Sequence, residues 1–465
     1  MKKLVSLVFS IVLGVCSCLV FNACGSKDRE KSSYKYNAVS SLEQLYSMRS
    51  DEAYKLTCDI DFEGREWVPL SVAGFNGQGH TISNCVIQVN ESSSWNGFFK
   101  TCRWLENITF DNCSITGYID TGEYVAYVSI GSSRSETLEN VTVKNCTIDI
   151  DYVSGSVYVG LVAGTISYGG EVEDLGTITV TSFVKNCHAE NCSITSTNAV
   201  AVGGIVAEVS YQIPGDITDC SVTNLTVDVN SAHIVGGIVG RTRSGKSKII
   251  SHCSVADSSF RYGTMVGGIV GRRVAYDTVG CKVENNIFYS RSVGTLGNGV
   301  SDGDGMGGIV GCAENGYGES SVSNCLSTDN SFNYTGTGSD TKYIGGLFGA
   351  AKEYAQITVR SSLSINNKFS VESSKFICCD TVGWIKEGNA IFCGSYGNVF
   401  SGDESLHFMA NVANSGVMYC YSDYENNITE MLESEKWIVK SELSVFHLDE
   451  TIWTLTDGKL PSIVF

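Results

Sequence analysis

The amino-acid sequence predicts an all-β chain that folds as a right-handed parallel β-helix solenoid, with a small α+β cap at the N-terminus and a second cap at the C-terminus. Three observations predict this fold: a double-glycine phrase that recurs along most of the chain, a second phrase built around cysteine, and 50 Gly against 3 Pro in 465 residues. Many Gly with few Pro indicate tight corners between strands that keep their N–H groups for hydrogen bonding.

The N-terminus has the form of an export signal, since a short basic start precedes an apolar run over residues 4–21. The following Ala23-Cys24-Gly25-Ser26 resembles a bacterial lipoprotein signal, in which the Cys is acylated and becomes the new N-terminus. We therefore expect residues 1–23 to be a lipoprotein signal peptide, Cys24 to carry a lipid anchor, and residues 24–36 to form a polar tether. An uncleaved membrane anchor or a plain secreted protein remain as alternatives.

Residues 37–74 are expected to cap the open first turn of the solenoid, because exposed sheet ends must be covered. Ser40 with Glu43 three residues later is a capping-box pattern that predicts a short helix. The stretch Ala53–Phe62 has the composition of a strand. Together they predict a small α+β unit.

The double-glycine phrase predicts stacked turns over residues 75–400, because internal repetition at a fixed period is the signature of a solenoid. Successive copies lie about 30–44 residues apart, which suits three short strands per turn, and eight or nine turns at about 4.8 Å would make a core roughly 40 Å long. Right-handed crossovers are expected between parallel strands. The copies, of which the first three and the last are weaker, begin at Trp95, Val125, Tyr158, Val202, Val235, Val266, Met306, Ile344 and Thr381.

Two columns of apolar residues follow from aligning these copies on their second Gly. Both should face the core, and because they are three residues apart the chain must bend at the Gly pair. Tyr127 in the marker position is the weak point of the alignment. The residues directly after the marker are Phe98, Val128, Leu161, Ile205, Ile238, Ile269, Ile309 and Leu347. Those two before it are Trp95, Val125, Tyr158, Val202, Val235, Val266, Met306 and Ile344.

Residues 240–247 read GRTRSGKS, which fits the letters of a phosphate-binding P-loop. A P-loop requires a helix after it, whereas the β-branched, alternating segment from Lys248 predicts a strand. Gly240 is also the last letter of one repeat copy, so the rest of the motif is expected to be a corner of that turn. We therefore predict no nucleotide ligand and no cofactor.

The second phrase places Cys after a polar residue that should lie at a corner and bond the next turn's backbone. Seven cysteines are assigned to one column, which predicts a ladder of buried free thiols, although some disulfides are an alternative. A zinc site at Cys378, Cys379, Cys393 and His407 lacks the usual spacing and is disfavoured. The seven are Cys85, Cys113, Cys146, Cys192, Cys220, Cys253 and Cys325.

The repeat decays after residue 400, and residues 401–465 are expected to form the C-terminal cap. A short helix is predicted over Ile428–Ser434 and strands over Lys436–Phe465.

The formal net charge of −18 argues against nucleic acid and against anionic lipid headgroups as partners. HExxH and GxSxG are absent from the sequence, and no catalytic residue is assigned. Asp302 and Asp304 lie in a Gly-rich corner and are weak candidates for a Ca²⁺ site or a carboxylate pair, so no metal is predicted.

The GGIVG copies resemble the GLUG-motif repeats of bacterial surface proteins, which include adhesin-like proteins and some immunoglobulin A proteases. The resemblance implies a parallel β-helix like that of pectin lyases. Phe75–Ile82 and Trp453–Pro461 resemble the flanking pieces of such proteins. A fold of this kind carries many activities, so the resemblance is specific for fold and weak for function.

Location and the lack of catalytic motifs favour a lipid-anchored cell-surface rod that binds a host or environmental protein or glycan. A polysaccharide lyase or glycoside hydrolase is the main alternative, and a structural spacer is the third. An elongated groove with free carboxylates would favour the enzyme, and an aromatic flank would favour binding.

Overall fold

A computed structural model describes most of the chain beyond residue 33. The lipid-anchor candidate Cys24 and the acidic pair Asp302 and Asp304 lie outside the described residues, as does the signal peptide. The described ranges are 34–89, 93–167, 183–210, 215–243, 248–290, 305–314, 319–335, 342–351, 355–371, 376–385, 387–401, 407–412, 417–418, 420–422, 430–431 and 442–463.

Strands dominate the described residues, beside one short α-helix, α1 (Leu42–Tyr46), and a 3-10 helix (Glu442–Phe446). The first strands are β1 (Tyr36–Val39), β2 (Ala53–Leu56), β3 (Ile60–Asp61), β4 (Leu70–Asn76), β5 (Thr81–Ser83), β6 (Val86–Val89), β7 (Trp95–Asp111), β8 (Ser114–Ser135), β9 (Thr137–Lys144), β10 (Thr147–Gly160) and β11 (Ala163–Ile166). The middle strands are β12 (Phe183–Lys185), β13 (His188–Glu190), β14 (Ser193–Ser196), β15 (Ala199–Gly203), β16 (Val206–Val209), β17 (Asp216–Thr218), β18 (Ser221–Thr223), β19 (Thr226–Gly236), β20 (Val239–Thr242), β21 (Lys248–Ser251), β22 (Ser254–Ala256), β23 (Ser259–Gly267), β24 (Val270–Arg273), β25 (Tyr276–Val279), β26 (Lys282–Glu284), β27 (Ile287–Ser290), β28 (Gly305–Gly307) and β29 (Val310–Ala313). The last are β30 (Ser320–Ser323), β31 (Leu326–Thr328), β32 (Ser331–Tyr334), β33 (Lys342–Gly345), β34 (Phe348–Ala351), β35 (Gln356–Arg360), β36 (Leu363–Ile365), β37 (Lys368–Val371), β38 (Phe376–Ile385), β39 (Glu387–Ile391), β40 (Gly394–Tyr396), β41 (Val399–Ser401), β42 (His407–Val412), β43 (Val417–Met418), β44 (Tyr421–Ser422), β45 (Glu430–Met431), β46 (Trp453–Thr454) and β47 (Ser462–Ile463).

The strands form a parallel β-helix, as predicted, in which each strand pairs in parallel with its equivalent one turn later. One turn runs through β13, β14, β15, β16 and β17. One turn later, β13 pairs with β18, β16 with β20 and β17 with β21, while the longer β19 pairs with both β14 and β15. A turn therefore has five strand positions rather than the three predicted, because the corners are single residues and leave more of the turn extended. We number these positions one to five in the order of that turn.

The central apolar column stacks as predicted in the later turns, from Ile205 to Leu347. The backbone N–H groups of Ile205, Ile238 and Ile269 donate to the carbonyl of the equivalent residue one turn later, at 3.0, 3.0 and 2.9 Å. All eight residues predicted directly after the marker glycine are buried with no measurable exposure. The stacked turns thus share one continuous hydrophobic core.

The double glycine is required by close approach of successive turns. A Cβ on Gly204 would lie 2.0 Å from the Gly237 carbonyl oxygen, and one on Gly203 would lie 1.9 Å from the Val206 carbonyl oxygen. Neither Gly has a positive φ, so the reason is space and not a backbone angle closed to other residues.

In the early turns the predicted alignment was shifted, by one residue for the copies at Trp95 and Tyr158 and by three for the copy at Val125. Tyr127 pairs with Trp95 and Tyr158, while Ser129 pairs with Gly97 and takes the glycine position. Tyr158 in turn pairs with Ala201 and not with Val202. The assignment of Trp95, Val125 and Tyr158 to the core column was therefore wrong, because Val125 packs against an outer apolar cluster and Trp95 and Tyr158 lie on the outer side of the third-position strands.

The corners are single polar residues in the left-handed region, as expected from the residue before each Cys. Asn112, Asn145 and Asn191 have φ of 53°, 55° and 54°, which Asn tolerates better than most residues. Their side chains bond other side chains more than backbone: Asn112 Nδ2 donates to Asn84 Oδ1 at 2.7 Å. The corners thus carry polar ladders along the rod.

The cysteines assigned to one column occupy two, because each turn has two corners with a left-handed residue, and Cys follows one corner in the early turns and the other in the later turns. Cys187, outside the predicted set, begins the second column, which explains the irregular spacing before Cys192. All sixteen cysteines from Cys58 onward are free thiols, and all but Cys58 are buried. The first column holds Cys85, Cys113, Cys146 and Cys192. The second holds Cys187, Cys220, Cys253, Cys281, Cys325, Cys393 and Cys420, with Ser362 between the fifth and sixth.

The first cysteine column continues as a buried asparagine ladder in the later turns. Asn330 Oδ1 accepts the Asn286 backbone N–H at 2.9 Å, and Asn367 Oδ1 accepts that of Asn330 at 2.9 Å. Each carboxamide therefore satisfies an N–H that the corner would leave unpaired in the core.

The N-terminal cap is α+β, as predicted, with its details shifted by one residue. Ser41 is the N-cap of α1 and accepts the Gln44 N–H, while the Gln44 side chain accepts the Ser40 N–H at 2.7 Å. The capping interaction thus uses Ser41 and Gln44 and not Ser40 and Glu43. Leu45 is buried in the main core, so the helix covers the first turn.

The C-terminal segment lies along the flank of the rod. Leu443, Phe446 and Trp453 pack on outward residues of the first-position strands, among them Leu326 and Leu363, which stand where earlier turns have Ser or Lys. The helix predicted over 428–434 is wrong, since Glu430–Met431 is a strand, and the strands predicted over 436–465 are confirmed only at β46 and β47.

The thiol columns lead to a prediction about accessibility. Alkylation of the native protein should modify Cys58 within minutes and the other fifteen cysteines from Cys85 onward slowly, because burial both blocks access and raises the pKa of thiols such as Cys187, Cys253 and Cys325. Peptide mass mapping before and after denaturation measures this. Disulfide-linked peptides between neighbouring turns would contradict the structure.

Candidate functional site

The chemically richest region is an outer seam, where the outward sides of the third- and fourth-position strands face each other. Together these strands bury a second apolar cluster, which includes Tyr158, Ile234 and Met265 and is separate from the main core. The third-position column is Trp95, Tyr127, Tyr158, Ala201, Ile234 and Met265. The fourth-position column is Arg134, Thr165, Glu208, Arg241, Arg272 and Cys312.

The strands of the seam approach so closely that small residues are needed directly before the charged ones in the sequence. A Cβ on Gly240 would lie 2.6 Å from the Ala207 carbonyl oxygen and 2.9 Å from that of Val202. Gly240 is the first glycine of the GRTRSGKS segment that resembles a P-loop. Because of these short distances, its role is to allow close packing between strands. The segment from Lys248 is strand β21, as predicted, while residues 244–247 lie outside the described part.

Three aromatic rings stack along the first turns of the seam. The ring centroids of Trp95 and Tyr127 are 5.1 Å apart at 10°, and those of Tyr127 and Tyr158 are 5.1 Å apart at 23°. The Arg134 guanidinium lies 5.4 Å from the Trp95 ring centroid. Trp95 and Tyr127 are half-buried and reach solvent, whereas Tyr158 is buried.

Glu208 is the centre of the polar part of the seam and is only 2 % exposed. Its Oε1 accepts the Tyr127 hydroxyl at 3.1 Å, and its Oε2 accepts Arg241 Nε at 2.6 Å and Arg243 Nε at 3.0 Å. Arg241 also donates to the Tyr158 hydroxyl and stacks on that ring at 4.5 Å. One carboxylate therefore orders two arginines and two tyrosines.

The titratable groups of the seam are buried, half-buried or held in ion pairs. Burial, reinforced by Glu208, raises the pKa of the Tyr127 phenol, and burial raises that of Tyr158. Both phenols therefore stay protonated near neutral pH and are poor general bases. Among the described seam residues, the carboxylates of Glu208 and Glu314 are each paired with arginine.

Two shallow depressions on the first-position face are weaker candidates. One of about 470 Å³ is lined by Gln78, Asn107 and Asn140, and one of about 420 Å³ lies beside Asn112 and Asn145. Their lining carboxamides already bond one another along the corner ladders, for example Asn140 Nδ2 to Asn107 Oδ1 at 2.7 Å. We interpret both depressions as a result of how the corner residues are arranged along the rod.

The disfavoured zinc site gains no support, although Cys378 pairs in register with His407. Within the described ranges, no three or more His, Cys, Asp or Glu side chains are grouped to hold a metal ion. The seam itself was missed from the sequence because the alignment placed Trp95 and Tyr158 in the core. Pairing Trp95 with Tyr127 and Tyr158 as one aromatic column would have revealed it.

Comparisons with known proteins agree with the repeat. Residues 198–228 match the GLUG motif family, which confirms the resemblance inferred from the glycine phrase. Halomucin from Haloquadratum walsbyi is 28 % identical over 157 residues, covering 29 % of this chain and 2 % of halomucin. The chain thus spans a very small part of that relative. These matches and the fold support a cell-surface β-helix protein.

Among solved structures, a candidate immunoglobulin A1 protease from Bacteroides ovatus is similar at 13 % identity and a TM-score of 0.35, over 92 % of each chain. Among the residues described here, no helix has the length and apolarity to cross a membrane.

The pairing at Glu208 yields a stability prediction. Glu208→Gln should lower the free energy of unfolding by about 3–5 kcal/mol, because it leaves the largely buried Arg241 without its counter-charge. Urea unfolding of the full chain measures the loss. Glu190→Gln, an exposed carboxylate on β13, is the matched control and should change stability by less than about 0.5 kcal/mol. Equal effects of the two substitutions would show that the seam carboxylate is dispensable.

Proposed function

We propose that this GLUG-motif β-helix protein is exported, acylated at Cys24 and held at the cell surface, where the rim of its outer seam binds a glycan. The export signal over residues 1–23 and the polar tether that follows support the location. The GLUG motif match at residues 198–228 supports a surface role.

The observation that carries the binding proposal is the combination of rings and guanidinium groups at one solvent-reaching rim. Trp95, Tyr127 and Arg134 stack there, and Trp, Tyr and Arg are the residues that dominate recognition surfaces. Their stacking fixes their orientation before any ligand arrives, which lowers the entropic cost of binding.

The shape of the rim favours a chain-like ligand over a globular one. The aromatic and charged residues follow one another along the rod axis, one per turn, in a row that is two columns wide. A stable protein partner needs about 800 Å² on each side, whereas this row is only two side chains wide. An extended saccharide, by contrast, can follow successive turns at about 4.8 Å each.

Binding without cleavage fits the seam better than the lyase or hydrolase alternative. The seam carboxylates are in ion pairs, and both seam tyrosines have raised pKa values. Acid–base cleavage of a glycosidic bond needs two carboxyl groups that converge on the substrate.

Trp95→Ala should weaken glycan binding about tenfold or more, because a stacked indole at a recognition site contributes on the order of 1–3 kcal/mol. A glycan array with the full chain identifies ligands, and titration calorimetry compares the variants. Val399→Ala removes an exposed apolar side chain on β41, away from the seam, and should leave affinity unchanged. A blank array for the native protein, or equal affinity of the Trp95 variant, would refute the proposal.

Cys24→Ala should move the protein from the membrane fraction to the soluble or secreted fraction, because acylation requires the thiol. Fractionation followed by mass spectrometry of the N-terminal peptide measures both location and lipid. The matched control Cys58→Ala keeps Cys24 and should remain with the membrane. Unchanged membrane retention of the Cys24 variant would contradict lipid anchoring.

A further inference from the structure

We infer that the glycan bound at the seam is acidic, and that Arg243 and Arg272 bind its carboxylate or sulfate groups. This inference rests on the proposed glycan-binding function and adds the chemical class of the ligand. It follows from the local charge count, the arrangement of the arginines and their access to solvent.

The seam is locally basic on a chain whose formal net charge is −18. Among the described residues of its middle turns, Arg241, Arg243 and Arg272 pair with Glu208 and Glu314, so in these ion pairs guanidinium groups outnumber carboxylates by three to two. Because the rest of the chain is acidic, an anionic ligand would be repelled elsewhere and attracted here.

Arg243 shares its carboxylate and keeps hydrogen-bonding capacity. Its Nε donates to Glu208 Oε2 at 3.0 Å, the same oxygen that accepts Arg241 Nε. The Arg243 side chain is 43 % exposed, against 11 % for Arg241. Arg241 is therefore committed to the seam interior. Arg243 also hydrogen-bonds the Tyr158 side chain, but its greater exposure lets its planar guanidinium reach a ligand as well.

Arg272 is the second guanidinium group that lacks a full set of hydrogen-bond acceptors. Its Nη2 pairs with Glu314, and its Nε is buried with no hydrogen-bond acceptor. Burial, together with the positive charge of Arg241, lowers the pKa of the guanidinium. Its side chain is 25 % exposed, so a ligand oxygen can approach it from solvent and relieve the repulsion.

The geometry fits an oxyanion on a chain. Arg241 and Arg272 are register partners in adjacent turns, and Arg243 lies two residues further along the strand direction of Arg241. Two guanidinium groups one turn apart can each bind a planar carboxylate or one edge of a sulfate. The aromatic end of the same seam, Trp95 and Tyr127, lies several turns away and would contact sugar rings of the same chain.

The test compares three hexasaccharide probes with the full-length protein by titration calorimetry: a heparin-derived sulfated chain, a carboxylated oligogalacturonate, and neutral maltohexaose. We expect one anionic probe to bind at least tenfold more tightly than the neutral chain, and the two anionic arms decide between sulfate and carboxylate. Arg243→Gln should weaken that probe about tenfold without changing maltohexaose binding. Lys368→Ala, which removes an exposed cation on β37, should change neither.

The outcomes separate the two proposals. If the neutral chain binds as tightly as both anionic chains, or if Arg243→Gln weakens binding no more than Lys368→Ala, the acidic-ligand inference is overturned and glycan binding stands. If no saccharide binds, the proposed function itself fails. Arg272→Gln provides a second variant should Arg243→Gln not fold, with unfolding midpoints confirming that each variant is native.

Discussion

The fold depends on backbone-to-backbone contact between successive turns at the double glycine. With a Cβ on Gly204 or Gly237, an atom would sit 2.0 Å from the carbonyl oxygen of the next turn. This contact fixes the register of every turn, and once the register is fixed, each side chain lies above and below its equivalents. The columns of Ile, Cys and Asn are then consequences of one close contact repeated along the chain.

That constraint explains why the sequence predicts the fold well and the site poorly. The glycine phrase recurs where most successive turns touch, so it is easily recognised and correctly predicts a parallel β-helix, although Ser129 takes a glycine position in an early turn. The residues just before it need only fit one side of a strand. An alignment shifted by one residue therefore looks equally apolar, yet it moves Trp95 and Tyr158 from the outer seam to the core.

The cysteines illustrate the same limit. Both corners that flank the first-position strand place a left-handed residue before a buried one, and Asn-Cys satisfies both. From the sequence alone the two kinds of corner are indistinguishable, so Cys192 and Cys220 were placed in one column although they lie in different ones. The C-terminal flank was likewise missed because Leu326 and Leu363 look like core residues until the strand register shows that they point outward.

The outer seam shows how outward side chains on such a rod can vary without disturbing the packing of its core. Along the seam, large and small residues alternate across the two columns: Tyr158 stands opposite Thr165, while Ala201 stands opposite Glu208 in the next turn. The long charged side chains thus fill the space that Ala201 and Ile234 leave. Because Glu208 is buried and holds Arg241 in place, the more exposed Arg243 is presented from a fixed base. The recognition chemistry of the rim is therefore determined by a few outward positions, which can vary while the glycine contacts keep the turns in register.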